Sequence, residues 1–98
     1  MFKELDPLLH SQLRLSVISL LVSVKEAEFS FLKEKTGASA GNLSVQITKL
    51  TDAGYIEVNK TFRDNYPLTT CKITKVGLAA FTKYVDNLKQ YIQPDTNK

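Results

Sequence analysis

The sequence is poor in the side chains that bind metals or form disulfides. It contains one cysteine, Cys71, and one histidine, His10, in 98 residues. A single cysteine cannot form an intramolecular disulfide, and this pair does not have the spacing of a zinc site. We therefore expect no metal and no cofactor, a reducing cytoplasmic location, and ordinary structural roles for both residues.

Long apolar runs and catalytic motifs are also absent. The most apolar stretch, Leu13 to Val24, is interrupted by one arginine and three serines, so we do not expect it to cross a membrane. The first ten residues include acidic side chains and no long apolar run, which is unlike a signal peptide. No paired carboxylates, nucleophile–base pair or glycine-rich phosphate loop occurs at a usable spacing. The sequence therefore predicts neither a membrane protein nor an enzyme.

The basic residues that are present concentrate in the middle of the chain. The net charge is +3 and the pI is about 9.0. Residues 30–75 hold seven basic and four acidic side chains, whereas residues 1–29 hold three and four. This distribution favours a nucleic-acid partner for the middle segment, although ordinary surface charge gives a similar pattern.

The first part of the chain predicts a long helix. Asp6 is a good N-cap and Pro7 suits the first helical position. Apolar residues recur at helical spacing as far as Val24, so the predicted helix covers residues 7–24. A very short extended piece follows at residues 28–30.

Two shorter helices come next and are joined by a tight turn. Ser30 is placed to cap a helix over residues 30–36, and Gly37 to end it. Ser39 is placed to cap a further helix over residues 40–53. The core-facing residues of that helix recur at positions i, i+4 and i+7, namely Leu43, Ile47 and Leu50.

The second half of the chain predicts a β-hairpin followed by a last helix. Residues 55–74 alternate and are rich in β-branched and aromatic side chains, with a turn predicted at residues 63–67. Thr74 or the residue after it opens a helix over residues 75–92, and residues 93–98 form a polar tail.

The order of these elements defines the predicted fold class. Two short helices joined by a glycine-containing turn form a helix-turn-helix, and a hairpin directly after the second helix forms a wing. We therefore predict a single domain over residues 1–98 of the α+β class, mostly α. It is a winged helix-turn-helix with a two-stranded wing and long first and last helices.

Residues 29–81 resemble the winged helix-turn-helix domain of MarR/ArsR-type transcriptional regulators, in particular the compact winged helix DNA-binding group. The segments that carry the resemblance are Phe31–Gly37, Gly41–Ser44, Leu50–Ile56 and Cys71–Gly77.

The resemblance implies a prokaryotic DNA-binding regulator whose second short helix is the recognition helix, but the sequence departs from the group at two places. Wings in this group tend to be rich in Arg and Lys, whereas the tip here carries one basic residue, Arg63, and one acidic residue, Asp64. Gln46 stands where the group often has His or Arg, and glutamine can pair with an adenine edge.

The exposed face of the predicted recognition helix supplies the candidate DNA-binding residues. At about 100° per residue, polar side chains fall opposite the core stripe. Asn42 and Gln46 are suited to read base edges and Val45 to touch a thymine methyl, whereas Ser39 and Lys49 are suited to phosphates. The same interface is predicted to include three residues of the wing. The full set is Ser39, Asn42, Ser44, Val45, Gln46, Lys49, Lys60, Arg63 and Lys72. The alternative is a solvated polar helix face and a hairpin that only closes the core.

The first and last helices are long for so small a core, which favours a homodimer. The residues predicted to form the dimer interface are Leu9, Leu13, Val17, Phe81, Tyr84, Leu88, Tyr91 and Ile92. The alternative is that the last helix folds back on the first helix of its own chain.

The leading interpretation is a homodimeric, sequence-specific regulator that binds double-stranded DNA. The second is a winged-helix module that binds another protein through the same helix face. The sequence does not indicate whether an effector exists or what it would be.

Overall fold

A computed structural model describes residues 2–93 of the chain. It contains four helices and one antiparallel sheet, so it confirms the α+β, mostly α, winged-helix prediction. The strand order in the sheet is β1-β3-β2. The prediction of a tail falls almost entirely on residues 94–98, which lie outside the described residues. The elements are α1 Gln12–Val24, β1 Glu26–Glu28, α2 Phe29–Thr36, α3 Ala40–Asp52, β2 Ile56–Arg63, β3 Tyr66–Ile73 and α4 Lys75–Ile92.

The turn between α2 and α3 forms as its residues predict. Gly37 has a φ of 72°, the left-handed conformation that lets α2 end abruptly. Ser39 then caps α3, because its hydroxyl oxygen accepts the backbone N–H of Asn42 at 3.1 Å. Helix α2 begins at Phe29, earlier than the predicted Ser30 cap, since the preceding strand already fixes the backbone up to Glu28.

The first helix begins five residues later than predicted. The Asp6 carboxylate accepts the N–H of Leu8 at 2.8 Å, and it closes a separate turn rather than capping α1. The Leu8 carbonyl accepts a hydrogen bond from the Arg14 side chain at 2.6 Å, whereas in a continuous helix it would accept the backbone N–H of Gln12. Helix α1 therefore starts afresh, with Ser11 as its N-cap.

The wing hairpin has a shorter turn and a longer second strand than predicted. Asp64 and Asn65 alone form the turn, with φ values of 50° and 70°, as a two-residue hairpin turn requires. Pro67, which favours a turn in the sequence, pairs with Phe62 inside the ladder. Its missing N–H points to the edge of β3 that β1 does not reach, because β1 pairs only with residues 70–72.

The core lies between the three N-terminal helices and the inner face of the sheet. Its fully buried side chains come from α1, α2, α3 and the inner positions of β2 and β3. They include Val17, Ile18, Leu21, Leu32, Leu43, Leu50, Ile56 and Cys71. This packing fixes α3 by its apolar stripe and leaves the opposite face of that helix in solvent.

The start of α4 closes against the start of the hairpin. Thr74 caps α4 by accepting the N–H of Gly77 at 3.0 Å, and its hydroxyl donates to the Gly54 carbonyl at 2.6 Å. A Cβ at Gly77 would lie 2.1 Å from the carbonyl oxygen of Tyr55. Gly77 is therefore required for close approach of α4 to the base of the wing.

An N-terminal segment, residues 2–10, runs along α4 and covers one face of it. The backbone N–H of Lys3 donates to the side-chain oxygen of Gln90 at 2.8 Å, and the Tyr91 hydroxyl donates to the carbonyl of Lys3 at 2.9 Å. His10 Nδ1 and the Tyr84 hydroxyl are 3.0 Å apart in a further hydrogen bond. The C-terminal half of α4 is thus packed by residues of its own chain that precede α1.

The packing inside the monomer corrects three of the predicted dimer contacts. Leu9 and Val17 are fully buried inside the monomer, and Tyr84 is only 4% exposed. Side chains with so little exposed surface cannot face a partner, so their role is in the core of this chain. Leu13, Phe81 and Leu88 are half-buried, whereas Tyr91 and Ile92 are 46% and 68% exposed.

Candidate nucleic-acid interface

Helix α3 presents an uninterrupted exposed face opposite its buried stripe. Asn42, Ser44, Val45 and Lys49 are exposed, and Gln46 is half-buried on one flank. Val45 is 52% exposed, so its methyl groups are available for contact. This face carries amide, hydroxyl, ammonium and methyl groups, the types that bind base edges and phosphates in a major groove.

The side-chain oxygens of Ser39 and Asn42 already accept hydrogen bonds. The Ser39 hydroxyl accepts the cap hydrogen bond, so its own proton stays available to donate to a phosphate. The Asn42 side-chain oxygen accepts from Gln46 Nε2 at 3.1 Å. These contacts fix the side chains in place and decide which of their groups point outwards.

Arg14 on α1 also belongs to this site, although no pattern in the sequence indicates it. Its Nη1 donates to Gln46 Oε1 at 2.5 Å, across 32 positions of the chain. Since Gln46 in turn donates to Asn42, the three side chains form one hydrogen-bonded row from α1 to the exposed face of α3. No local motif predicts this contact, because it depends on how α1 packs against α3.

A groove separates α3 from the wing. It has a volume of about 620 Å³ and is open to solvent. Ser44 and Thr48 line it on the helix side, and Lys60 and Thr69 line it on the wing side. The predicted contacts at Ser44 and Lys60 therefore lie on the two walls of one groove, beside the exposed face of α3.

The tip of the wing differs from the strongly basic tips of the resembled group. Arg63 forms an ion pair with Glu28 of β1, so part of its charge is neutralised within the chain. Phe62 and Tyr66 are 76% and 75% exposed on opposite faces of the hairpin. The tip is thus apolar and aromatic rather than cationic.

Lys72, another predicted DNA contact, lies at the base of the wing. It is paired in register with Glu26 of β1 on one side and Glu57 of β2 on the other. Its side chain is on the outer face of the sheet, whereas the residue beside it, Cys71, points into the core. This position between two carboxylates does not favour a phosphate contact.

Two titratable side chains near the hairpin are perturbed by burial. Desolvation and a hydrogen bond from its hydroxyl to Asp6 at 2.6 Å raise the pKa of Tyr55 to about 12. Desolvation alone raises the pKa of the Cys71 thiol from 9.0 to about 11. Both groups are therefore neutral at physiological pH, and both serve the packing of the hairpin. Within residues 2–93 there is no cluster of three or more potential metal ligands.

Helix α4 carries a second apolar stripe beside the face that the N-terminal segment covers. At about 100° per residue its members fall on one side of the helix. Leu78 and Ile92, at its two ends, are 45% and 68% exposed, and the residues between them are half-buried. The stripe consists of Leu78, Phe81, Val85, Leu88 and Ile92. No helix within the described part of the chain is long and apolar enough to cross a membrane.

The fold and the exposed helix face define a winged helix-turn-helix protein. Residues 13–92 match the model of the winged helix DNA-binding domain family. The chain therefore belongs to that family, as the resemblance in its sequence predicts. Over 81 residues it is 33% identical to an uncharacterized protein of Methanocaldococcus jannaschii, a match that covers 83% of this chain and 88% of the relative.

Solved structures of transcriptional regulators share the fold. The structure of a transcriptional regulator homologue from Pyrococcus horikoshii OT3 superposes with a TM-score of 0.84 at 26% identity, covering 92% of this chain and 89% of the other. A cysteine-to-serine mutant of MarR from E. coli, solved with operator DNA, gives a TM-score of 0.71 at 19% identity. That match covers 89% of this chain and 67% of MarR. The chain thus has the fold of winged-helix transcriptional regulators.

Proposed function

We propose that this protein is a sequence-specific regulator of transcription that binds double-stranded DNA as a homodimer, with α3 in the major groove. The observation that carries the proposal is the exposed face of α3, whose polar and methyl groups stand opposite a fully buried stripe. Family membership supports it, since the matching family is one of DNA-binding domains. As a regulator of prokaryotic genes it would act in the cytoplasm.

The residues of α3 divide into base-reading and phosphate-binding groups. Asn42 and Val45 lie on the outermost part of the face, where a major groove would meet an amide and two methyl groups. Lys49 is exposed in the last turn and forms no ion pair with any of residues 2–93, so its full charge is available to a phosphate. Ser39 stands at the N-terminus of α3, where backbone N–H groups also favour an anion.

The wing contributes less to the proposed interface than the sequence predicts. Lys60 lies on the groove wall that faces α3 and remains a candidate phosphate contact. Arg63 is ion-paired, and Lys72 is flanked by two glutamates on the outer face of the sheet. We therefore place the main contact on α3 and one supporting contact on Lys60.

The apolar stripe on α4 supports the homodimer. The described chain measures 60 × 25 × 21 Å and has a radius of gyration of 15.2 Å. A compact domain of this length has a radius near 13 Å, so the monomer is elongated. A two-fold dimer through this stripe would bury side chains that the monomer leaves in solvent. It would present two recognition helices about 34–36 Å apart to a near-palindromic operator.

Light scattering during size-exclusion chromatography tests the dimer. The wild type is expected at twice the 11.0 kDa mass of one chain. Changing Leu78 and Ile92 together to Glu should give the monomer mass. Val76→Glu is the matched control, because Val76 is 58% exposed but lies on the opposite side of α4. A wild-type monomer would contradict the proposed assembly.

Titration against labelled duplexes at several salt concentrations tests DNA binding. Duplexes of random sequence and of the gene's own promoter should both bind, the promoter more tightly. Affinity should fall steeply with salt, by a log–log slope of about 0.9 for each phosphate contact.

A lysine variant of α3 makes this test specific. Lys49→Ala should reduce the salt slope of a dimer by about 1.8, because each subunit loses one phosphate contact. Lys83→Ala, on α4 beside the N-terminal segment, should leave the slope unchanged. Absence of duplex binding at low salt would contradict the proposed function.

A protein-binding module is the second candidate, and the wing tip favours it. Phe62 and Tyr66 are exposed on opposite faces of the tip, and Arg63 is ion-paired, so the tip is better suited to a protein than to a phosphate backbone. Such binding would depend weakly on salt, whereas DNA binding depends on it strongly. The salt titration therefore separates the two functions.

A further inference from the structure

We propose that Arg14 is a positioning residue that determines which hydrogen-bonding groups α3 presents to DNA bases. This inference rests on the proposed function, because it concerns base preference. It starts from the row of hydrogen bonds in which Arg14 donates to Gln46 and Gln46 donates to Asn42. None of these residues is adjacent to Arg14 in the sequence.

The direction of this row is fixed by chemistry. A guanidinium group has only donors, so Gln46 must turn its side-chain oxygen towards Arg14. The NH₂ group of Gln46 must then face Asn42, which accepts with its own oxygen. The NH₂ group of Asn42 is consequently the one that points away from the row. Reversing either amide would place two donors or two acceptors against each other.

Arg14 is held firmly enough to act in this way. Its Nε donates to the Leu8 carbonyl at 2.6 Å while Nη1 donates to Gln46, so both ends of the guanidinium are fixed. The turn that contains Leu8 is closed in turn by the Asp6 carboxylate at 2.8 Å. Arg14 and Gln46 are half-buried, whereas Asn42 is exposed. The row therefore leads from a packed region to the surface that would meet DNA.

The consequence is a donor rather than an acceptor at the centre of the reading face. The Asn42 NH₂ group matches acceptors in the major groove, namely purine N7, guanine O6 and thymine O4. Gln46 uses its oxygen and one of its two N–H groups within the row, so a two-bond contact with adenine, which the sequence suggests, would compete with the bonds to Arg14 and Asn42. Arg14 thereby acts on base preference without contacting DNA.

The first test uses the free protein and does not depend on DNA. Two-dimensional NMR of side-chain amides should show Gln46 and Asn42 NH₂ signals shifted from exposed values and slow to exchange with water. Arg14→Lys keeps the charge but cannot donate to Leu8 and Gln46 in the same planar geometry, so both signals should move towards exposed values. Arg63→Lys, the same change at the wing tip, should leave them unaltered. Unchanged Gln46 and Asn42 signals in Arg14→Lys would overturn the proposal.

The second test selects preferred sequences from random duplexes. Compared with the wild type, Arg14→Lys should change the preference for one base over the others at one position of each half-site. The expected change in relative affinity is about two- to tenfold, the range of one hydrogen bond. Its salt slope and its affinity for non-specific DNA should stay the same, because no phosphate contact is lost. An identical selected sequence would overturn the role of Arg14 in base preference.

A variant of Gln46 tests the direction of the row. In Gln46→Glu both side-chain oxygens accept, so Asn42 must donate to the new carboxylate and turn its own oxygen outwards. Preference should then move to the donors of the major groove, adenine N6 and cytosine N4. Retained preference for acceptors would contradict the row.

The two tests separate failure of this inference from failure of the proposed function. If the wild-type protein binds no duplex, the proposed function is wrong, and the inference about base preference is wrong with it, whatever the NMR spectra show. If duplexes bind the wild type but Arg14→Lys changes neither the spectra nor the selected sequence, only the inference about Arg14 fails.

Discussion

Helix α3 and the wing form the two walls of one groove, but they differ in how much of their length is anchored to the core. Helix α3 is anchored along its whole length by Leu43, Ile47 and Leu50 and exposes free polar groups opposite them. The wing is anchored only at its base, and its tip carries exposed aromatic residues and an ion-paired arginine. We therefore expect α3 to provide recognition in the proposed function, and the hairpin to contribute mainly to stability.

A substitution that disturbs the packing at the base of the wing should have the largest effect, and this effect is on the free energy of unfolding. In Gly77→Ala the new Cβ would lie 2.1 Å from the Tyr55 carbonyl oxygen, so the start of α4 must move away from the hairpin. We expect a loss of about 3 kcal/mol in the free energy of unfolding, measured by urea denaturation. Gly41→Ala is the control, because no atom lies within 4 Å of its added Cβ and alanine favours a helix. Equal stability of the two variants would refute the close approach.

Alkaline pH should lower the free energy of unfolding through two side chains at the base of the wing, Cys71 and Tyr55. The unfolded chain loses the Cys71 proton near pH 9, whereas the folded chain keeps it until about pH 11. Stability is therefore unaffected below pH 9 and falls as pH rises from 9 to 11, by about 2 kcal/mol. Urea unfolding at pH 8 and pH 11 measures the loss, and Cys71→Ala should show a smaller one. Tyr55, with its pKa raised to about 12, should add a further decrease from pH 10 upwards.

A single amide on α3 tests the helix side of the comparison. Asn42→Ala should weaken binding to the promoter by about 1–2 kcal/mol for each half-site and change non-specific binding little, because it removes a base contact rather than a charge. Duplex titration at fixed salt measures both affinities. Thr51→Ala is a control on the half-buried flank of the same helix, where the hydroxyl donates to the Ile47 carbonyl at 2.8 Å. Equal loss for promoter and random DNA would place Asn42 among the phosphate contacts.

The wing tip should show the smallest effect on DNA binding. Replacing Phe62 and Tyr66 together by Ser removes the exposed aromatic surface and leaves the turn intact. We expect promoter affinity to change by less than about 0.5 kcal/mol and unfolding stability to change little, because both rings are mostly in solvent. Promoter titration and urea unfolding of the same variant measure the two quantities. A loss of promoter affinity as large as that of Asn42→Ala would show that the tip binds DNA as strongly as the helix does.

The parts of the fold that the sequence predicts well are those with local causes. The cap Ser39 and the left-handed Gly37 depend on residues within one helical turn of each other, and both are confirmed. Thr74, one of the two residues predicted to open the last helix, is its N-cap. The predicted wing turn, residues 63–67, is too long because proline is a common turn residue and the prediction extends to Pro67. Pro67 is tolerated in β3 because β1 is too short to pair with it, and the length of β1 is a property of the assembled sheet.

The errors at the first helix and at the reading face have long-range causes. The sequence predicts Asp6 as a helix cap, but in the structure its carboxylate accepts hydrogen bonds from Leu8 and from Tyr55, which is 49 positions away. The exposed face of α3 follows from helical periodicity alone, whereas the orientation of its amides depends on Arg14. Periodicity predicts which side chains are exposed, but it does not predict which of their atoms are already bonded.

The N-terminal segment also has a consequence for the order in which the molecule folds. Its hydrogen bonds to α4 join residues 74 to 88 positions apart, so they close loops nearly as long as the chain. Contacts of that separation form only after the elements between them have collapsed. We therefore expect residues 2–5 to dock last and to open first, as a local unfolding unit with faster amide hydrogen exchange than α1 or α3.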